Sequence, residues 1–131
     1  MLVALTPETT DALGGHEVRI TTFPYRVGRE SRTRWPGRSV LSERRSSDSK
    51  RSNELYLPDV GEVLNVSRDH LQFERDGDDV MLVDRGSTCG TIVEGTVIGG
   101  QGRGGSVALK DGDVIIVGTS LSPFAFKVRL G

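Results

Sequence analysis

Ser67-Arg68-Asp69-His70 is the stretch of this sequence that decides the fold. Gly28-Arg29 lies far upstream of it, and Asp84-Arg85-Gly86-Ser87-Thr88-Cys89-Gly90-Thr91 begins fourteen residues after His70. Guanidinium forks, hydroxyl groups and backbone donors match the charge and the three acceptor oxygens of a phosphorylated side chain. The three stretches therefore predict a phosphate-binding surface in a fold that brings them together.

A β-sandwich is the fold that the rest of the sequence predicts. Outside residues 30–53, apolar and polar residues alternate in short runs between turn residues, as in Phe124 to Leu130. Loops that leave one end of a sandwich lie side by side, so the three stretches can converge. The pattern predicts no helix longer than one turn, and it predicts a turn at Glu8-Thr9-Thr10-Asp11. About eleven antiparallel strands are predicted, at 2–5, 17–22, 24–28, 54–57, 70–75, 79–84, 91–93, 96–98, 107–109, 113–117 and 123–130.

The order and spacing of the three stretches resemble the forkhead-associated (FHA) domain, a module that binds phosphothreonine peptides. The resemblance runs from about Leu2 to Leu130, and it implies an all-β sandwich with its binding loops at one end. A length of 131 residues suits a single FHA-like domain over residues 1–131. The resemblance implies a protein-interaction module in Ser/Thr-kinase signalling. Its partner would be a phosphothreonine-containing protein or peptide, from the kinase or its substrate.

The resemblance also implies which residues touch the phosphopeptide. Arg29 would hold the phosphate through its guanidinium group, and Ser67 would donate its hydroxyl hydrogen to it. Thr88 would line the pocket beside the phosphothreonine. Arg68 directly follows Ser67 and would add a second cation.

Other residues would support the site. His70 would hold the loop that presents Ser67, while Gly28 and Gly90 would serve the backbone geometry of their loops. Cys89 stands where the family usually has Asn, whose amide bonds the main chain of the peptide. A thiol is a weaker donor and acceptor than an amide, so Cys89 is expected to lower affinity or selectivity.

Residues 30–53 are a basic segment inside the predicted sandwich. They contain seven Lys or Arg residues and three Asp or Glu residues, a net charge of +4 in a chain whose total is −1. Ser and Arg dominate the segment, and it has too few apolar residues to offset the entropy lost on ordering. We predict a Ser/Arg-rich insertion loop anchored by Trp35, Val40 and Leu41.

The insertion supports a second functional interpretation. A phosphate-independent interaction or assembly module would use the basic residues to hold an acidic partner or nucleic acid. Nucleic acid is disfavoured because stacking surfaces usually need several aromatic residues and Trp35 is the one aromatic residue of the segment. The basic residues concerned are Arg44, Arg45, Lys50 and Arg51.

Composition disfavours several other classes of protein. The single cysteine cannot form a disulfide within the chain, and His16, His70 and Cys89 are too scattered for a zinc cluster. No apolar run approaches the ~20 residues of a membrane span, and Met1-Leu2-Val3-Ala4-Leu5 lacks the pattern of a signal peptide. We therefore expect a cytoplasmic protein that binds no metal and does not span a membrane.

Two short motifs imitate cofactor and catalytic sites. Residues 100–105 fit the G-x-G-x-x-G pattern, but strand-like Val107-Ala108-Leu109 follows them instead of a helix, so no dinucleotide site is expected. Ser67, His70 and Asp84 are the residue types of a catalytic triad, but their spacing gives no reason for a Ser–His contact. We expect neither a cofactor nor an enzymatic activity.

Overall fold

The structure, a computed structural model, describes residues 1–30, 32–33, 41–42, 53–59 and 64–130. Within these ranges the chain forms thirteen β-strands and one short α-helix. In chain order the elements are β1 (Leu2–Ala4), α1 (Pro7–Leu13), β2 (Glu17–Val18), β3 (Tyr25–Arg29), β4 (Arg32–Thr33), β5 (Leu41–Ser42), β6 (Leu55–Leu57), β7 (Leu71–Asp76), β8 (Asp79–Asp84), β9 (Thr91–Val93), β10 (Thr96–Ile98), β11 (Gly105–Ala108), β12 (Val114–Val117) and β13 (Ala125–Val128).

Two sheets share one hydrophobic core among the described residues. A six-stranded sheet has the order β10-β9-β12-β13-β1-β2, and a five-stranded sheet has the order β11-β8-β7-β3-β6. Ile115 and Phe126 of the first sheet and Val27 and Leu71 of the second belong to one cluster of fully buried side chains. The predicted β-sandwich is confirmed. Each of the eleven predicted strands overlaps a strand of the structure, and several are shorter than predicted.

The pairing of β3 with β6 is parallel, whereas the sequence pattern predicts antiparallel pairs. Arg26 and Glu54 fix the start of this pair. The Arg26 side chain donates to the Glu54 carboxylate from Nε at 2.8 Å and from Nη2 at 2.6 Å. These bonds lower the pKa of Glu54. Because parallel neighbours need a long crossover, the residues between Arg29 and Leu55 form an obligatory connection.

The insertion contains regular structure that the loop prediction did not include. β4 and β5 pair antiparallel, with Arg32 opposite Ser42 and Thr33 opposite Leu41. The loop prediction is wrong for these four residues, because a two-residue ladder needs no apolar periodicity. The remaining residues singled out in the insertion lie outside the described ranges: Trp35, Val40, Arg44, Arg45, Lys50 and Arg51.

Helix α1 corrects the prediction that no segment exceeds one helical turn, and it replaces the turn predicted at residues 8–11. The Thr6 hydroxyl oxygen accepts a hydrogen bond from the Thr9 N–H at 3.1 Å, and Pro7 occupies the first turn. Gly14 ends the helix in the left-handed conformation, with φ +76°. These residues are recognised start and stop signals. The helix was missed because seven residues are too few for an apolar period to emerge.

Thr9→Val should destabilise the fold by about 1–3 kcal/mol, because the Ala125 N–H would lose its acceptor and would face a methyl group inside the fold. Thr9 is fully buried, and its Oγ1 accepts the Ala125 N–H at 2.9 Å. Thr10→Val makes the same chemical change in the same helix, where the hydroxyl donates to the Thr6 carbonyl oxygen at 3.1 Å. Urea unfolding should show a clearly smaller loss for Thr10→Val. Equal losses would contradict the assigned role of Thr9.

Candidate functional site

The end of β3 lies against the loop that precedes β7. The Arg29 N–H donates to the Ser67 carbonyl oxygen at 2.9 Å, and the His70 N–H donates to the Val27 carbonyl oxygen at 3.1 Å. The Arg29 guanidinium reaches over the same loop, where Nη1 donates to the Val66 carbonyl oxygen at 3.3 Å. The structure therefore brings Arg29 and Ser67 together, although they are far apart in sequence.

The Ser67 hydroxyl group joins this loop to the one between β8 and β9. Its Oγ accepts a hydrogen bond from the Thr88 N–H at 3.0 Å. A serine hydroxyl can accept and donate at the same time, so its hydrogen remains available to a ligand. Thr88 is exposed, whereas Ser67 is half-buried. Ser67 and Thr88 therefore lie next to each other on one surface of the domain.

His70 connects the same two loops from below. The side chain is fully buried, and its Nδ1 accepts the Ser67 N–H at 2.9 Å. Its Nε2 lies 2.7 Å from the Gly90 carbonyl oxygen. The hydrogen is assigned to Nε2, because Nδ1 acts as an acceptor. Burial lowers the pKa of His70, so the imidazole is neutral at pH 7.

Asp84 organises the loop that carries Thr88. Its Oδ1 accepts the N–H groups of Gly86 at 3.0 Å and Ser87 at 2.8 Å. Its Oδ2 accepts the hydroxyls of Ser87 at 2.6 Å and Thr91 at 2.9 Å. The Ser87 hydroxyl oxygen in turn accepts the Gly90 N–H at 2.9 Å. Sequence reasoning missed this role, although a carboxylate followed by Gly and Ser is a known turn-forming pattern.

Asn53 and Arg85 brace the Ser67 loop from the other side. The buried Asn53 donates from Nδ2 to the Arg68 carbonyl oxygen at 2.8 Å, and its Oδ1 accepts from Arg85 Nη1 at 2.7 Å. Arg85 also pairs with Asp69 at 3.2 Å. A Cβ at Gly28 would lie 1.8 Å from the Arg68 carbonyl oxygen, so the close approach requires glycine there. Local sequence patterns gave no signal for Asn53 or Arg85, because their partners are distant in sequence.

The remaining predicted residues differ in their exposure to solvent. The Arg68 side chain is exposed. Cys89 is half-buried, and its thiol lies 3.5 Å from the Leu64 carbonyl oxygen, a weak contact. Gly90 has φ +83°, a conformation that favours glycine.

A catalytic arrangement of Ser67, His70 and Asp84 is not formed. His70 Nδ1 faces the main chain of Ser67 and Nε2 faces Gly90, so neither ring nitrogen is directed at the Ser67 hydroxyl. Asp84 bonds its own loop instead of the imidazole. The three residues instead stabilise the loop before β7 and the loop between β8 and β9.

The family model for the FHA domain matches residues 25–118, which include β3 to β12 and all three diagnostic stretches. The chain belongs to the FHA domain family. FHA domains are protein-interaction modules that bind phosphothreonine-containing peptides, and are not enzymes. A search of curated proteins gives no match.

Two further observations concern the described part of this FHA domain. No helix there is long and apolar enough to cross a membrane. The described residues also contain no group of three His, Cys, Asp or Glu side chains arranged to hold a metal ion.

The stability of this FHA domain should fall as the pH drops below about 6.5, the ordinary pKa of histidine. Burial lowers the pKa of His70, while the hydrogen bond to the Gly90 carbonyl and the weaker influence of Asp84 and Asp59 oppose the shift. As the pH falls, the unfolded chain therefore binds a proton before the folded chain does. Between about pH 6.5 and the lower pKa of His70 in the folded chain, each pH unit lowers the free energy of unfolding by at most ~1.4 kcal/mol. Urea unfolding between pH 7 and pH 5 measures this slope.

The matched variants are His70→Asn and His16→Asn, the latter at an exposed position. His70→Asn should be less stable at pH 7 and should lose part of the pH slope. His16→Asn should keep the wild-type slope. A slope unchanged by His70→Asn would contradict the assignment of the buried neutral imidazole.

Proposed function

We propose that this FHA domain binds a phosphothreonine-containing segment of a Ser/Thr kinase or of its substrate, as an adaptor in cytoplasmic kinase signalling. The observation that carries the proposal is the convergence of the Arg29 guanidinium, the Ser67 hydroxyl and the Thr88 loop at one end of the sandwich. Membership of the FHA family supports the class of ligand. The cytoplasmic setting rests on the sequence alone.

Arg29 and Ser67 would capture the phosphate. A phosphothreonine carries about −1.5 to −2 charges and three acceptor oxygens. The Arg29 guanidinium has five N–H donors in a planar fork, and the contact to Val66, at 3.3 Å, uses only one of them. The Ser67 hydroxyl accepts from Thr88 N–H and can donate its hydrogen to a phosphate oxygen. A charge-assisted fork beside a hydroxyl donor is a strong combination for a phosphate.

The neighbouring residues would shape the rest of the contact. Thr88, exposed beside Ser67, would line the pocket next to the phosphothreonine side chain. Arg68 would add a second positive charge at the rim. His70, Gly28 and Gly90 would act through the loops that they support, without touching the ligand.

The alternative is a phosphate-independent module that holds an acidic partner through the basic insertion. Its basic residues lie outside the described ranges, so its support is the net charge of +4 on residues 30–53. Phosphorylation distinguishes the two hypotheses. The first requires a phosphothreonine ligand and Arg29, whereas the second requires only acidic charge.

Arg29→Ala should weaken phosphopeptide binding by roughly 30-fold to 4,000-fold, which corresponds to about 2–5 kcal/mol for the loss of one partner of a charge pair that the complex would desolvate. The best peptide from an oriented phosphothreonine library would be titrated by isothermal calorimetry. Arg29→Lys retains the charge but not the fork, so it should bind with intermediate affinity.

Arg75→Ala is the matched control, because it removes the same charge from an exposed position near the opposite end of β7. It should bind like the wild type. Equal binding by Arg29→Ala and the wild type would contradict the role of Arg29. Equal binding of the phosphorylated and unphosphorylated peptides would favour the alternative module.

Cys89→Asn should raise affinity for the same peptide by about 2-fold to 12-fold, the equivalent of one hydrogen bond of 0.5–1.5 kcal/mol. The amide would supply both a donor and an acceptor to the peptide main chain, at a volume similar to that of the thiol. Cys89→Ala is the control, and it should not gain affinity. An unchanged or weaker affinity of Cys89→Asn would show that the loop holds the peptide in another geometry.

A further inference from the structure

The outer face of the six-stranded sheet carries one row of apolar side chains. β12 reads Val114-Ile115-Ile116-Val117, and β9 reads Thr91-Ile92-Val93. A strand with one solvated face normally alternates, whereas an unbroken apolar run is typical of a strand covered on both faces. Ile115 and Val117 are buried in the core, so Ile116 lies on the outer face.

The register assembles these outer residues into one row across five neighbouring strands. Ala125 lies opposite Ile116, Ile116 opposite Ile92, and Ile92 opposite Val97. Leu5, directly after β1, extends the row, because its N–H donates to the Ala125 carbonyl oxygen at 3.1 Å. Directly opposed residues share a face of the sheet. Leu5 is 45% exposed and Val97 is 62% exposed, so both ends of the row are open.

The outer face of the five-stranded sheet is different. In its central row, Ser106 lies opposite Val83, Val83 opposite Gln72, and Gln72 opposite Arg26. Three of these four side chains are polar or charged, as expected of a face that water covers. The apolar row therefore distinguishes one face of the sandwich.

A second row beside the apolar one carries opposite charges. Lys127 lies opposite Val114 on β13, on one side of β12. Glu94 lies on the other side, where its N–H donates to the Val114 carbonyl oxygen at 3.0 Å. Its carboxylate also accepts the Val114 N–H at 2.7 Å, which holds the side chain beside β12. Lys127 and Glu94 thus lie one strand away from Val114, on opposite sides of β12.

We propose that this face joins two copies of the chain about a two-fold axis that runs along β12. Turning one sheet over about that axis sets Ile116 against the partner's Ile116 and Leu5 against the partner's Val97. It also sets Lys127 against the partner's Glu94. A two-fold interface must be self-complementary, and both the apolar row and the charged row satisfy this condition.

The size of the face makes the dimer weak. Four strand spacings and a strand length of four residues give a face of about 19 Å by about 13 Å. The area of this face is well below the ~800 Å² that each partner buries in a standard stable interface. We therefore expect a dissociation constant of the dimer in the micromolar to millimolar range. The binding loops lie at the end of the sandwich, so the pairing does not depend on phosphate binding.

Sedimentation velocity from micromolar to millimolar concentration tests the proposal. The wild type should shift reversibly from monomer to dimer, and Ile116→Lys should weaken this association by more than roughly tenfold. Val97→Lys provides the same test at a more exposed position if Ile116→Lys does not fold. Val83→Lys, at the centre of the other outer face, should associate like the wild type. Circular dichroism verifies each fold.

Charge reversal tests the axis itself. Lys127→Glu and Glu94→Lys should each weaken self-association, because each alone opposes like charges. An equimolar mixture of the two variants should dimerise again, because both contacts of the mixed dimer then have opposite signs. Arg29→Ala should dimerise like the wild type, which separates this proposal from the phosphate site. A wild type that stays monomeric, an equal effect of Val83→Lys, or a mixture that does not recover would each overturn the proposal.

Discussion

A neutral imidazole buried between two loops is the contact on which the arrangement of Arg29, Ser67 and Thr88 depends. His70 accepts the Ser67 N–H and donates to the Gly90 carbonyl oxygen, so the width of one ring sets the distance between the two loops. The main chain of Arg29 bonds the same Ser67 loop. The spacing of the guanidinium, the hydroxyl and the Thr88 loop therefore traces back to one side chain, and that side chain can act this way only while it is uncharged.

The polar groups beneath the surface around Arg29, Ser67 and Thr88 are bonded to one another. Asp84 is buried with four hydrogen-bond donors from its own loop, so its charge is compensated locally. Asn53 accepts from Arg85, and Arg85 pairs with Asp69. Buried polar groups that are satisfied in this way stabilise one loop geometry over its alternatives. A phosphate would then meet an arranged surface, with little further ordering of these loops.

The sequence predicted those features of the fold and of the site that depend on short-range patterns. Alternation revealed the sandwich, and the three motifs led to the loops that the structure brings together. Patterns failed where an element was short, as with α1 and the β4–β5 pair, or where bonds join distant residues, as with Asn53 and Arg85. The Val114–Val117 run predicts the observed strand, but the run alone does not allow its missing alternation to be interpreted. That interpretation needs the register, because only neighbouring strands show that Ile92, Ile116 and Ala125 form one row.

The parallel pairing of β3 and β6 gives the basic insertion a topological role that its charge does not suggest. β3 ends at Arg29, beside the Ser67 loop, and a parallel partner must begin at the opposite end of the sheet. The connection therefore has a minimum length, below which the chain cannot return along the sheet. It has no comparable maximum, because doubling a flexible loop costs only about 0.6 kcal/mol of closure entropy. A longer connection would thus still allow β3 to pair with β6, whereas one too short to return along the sheet would prevent this pairing, so the segment tolerates added sequence better than extensive deletion.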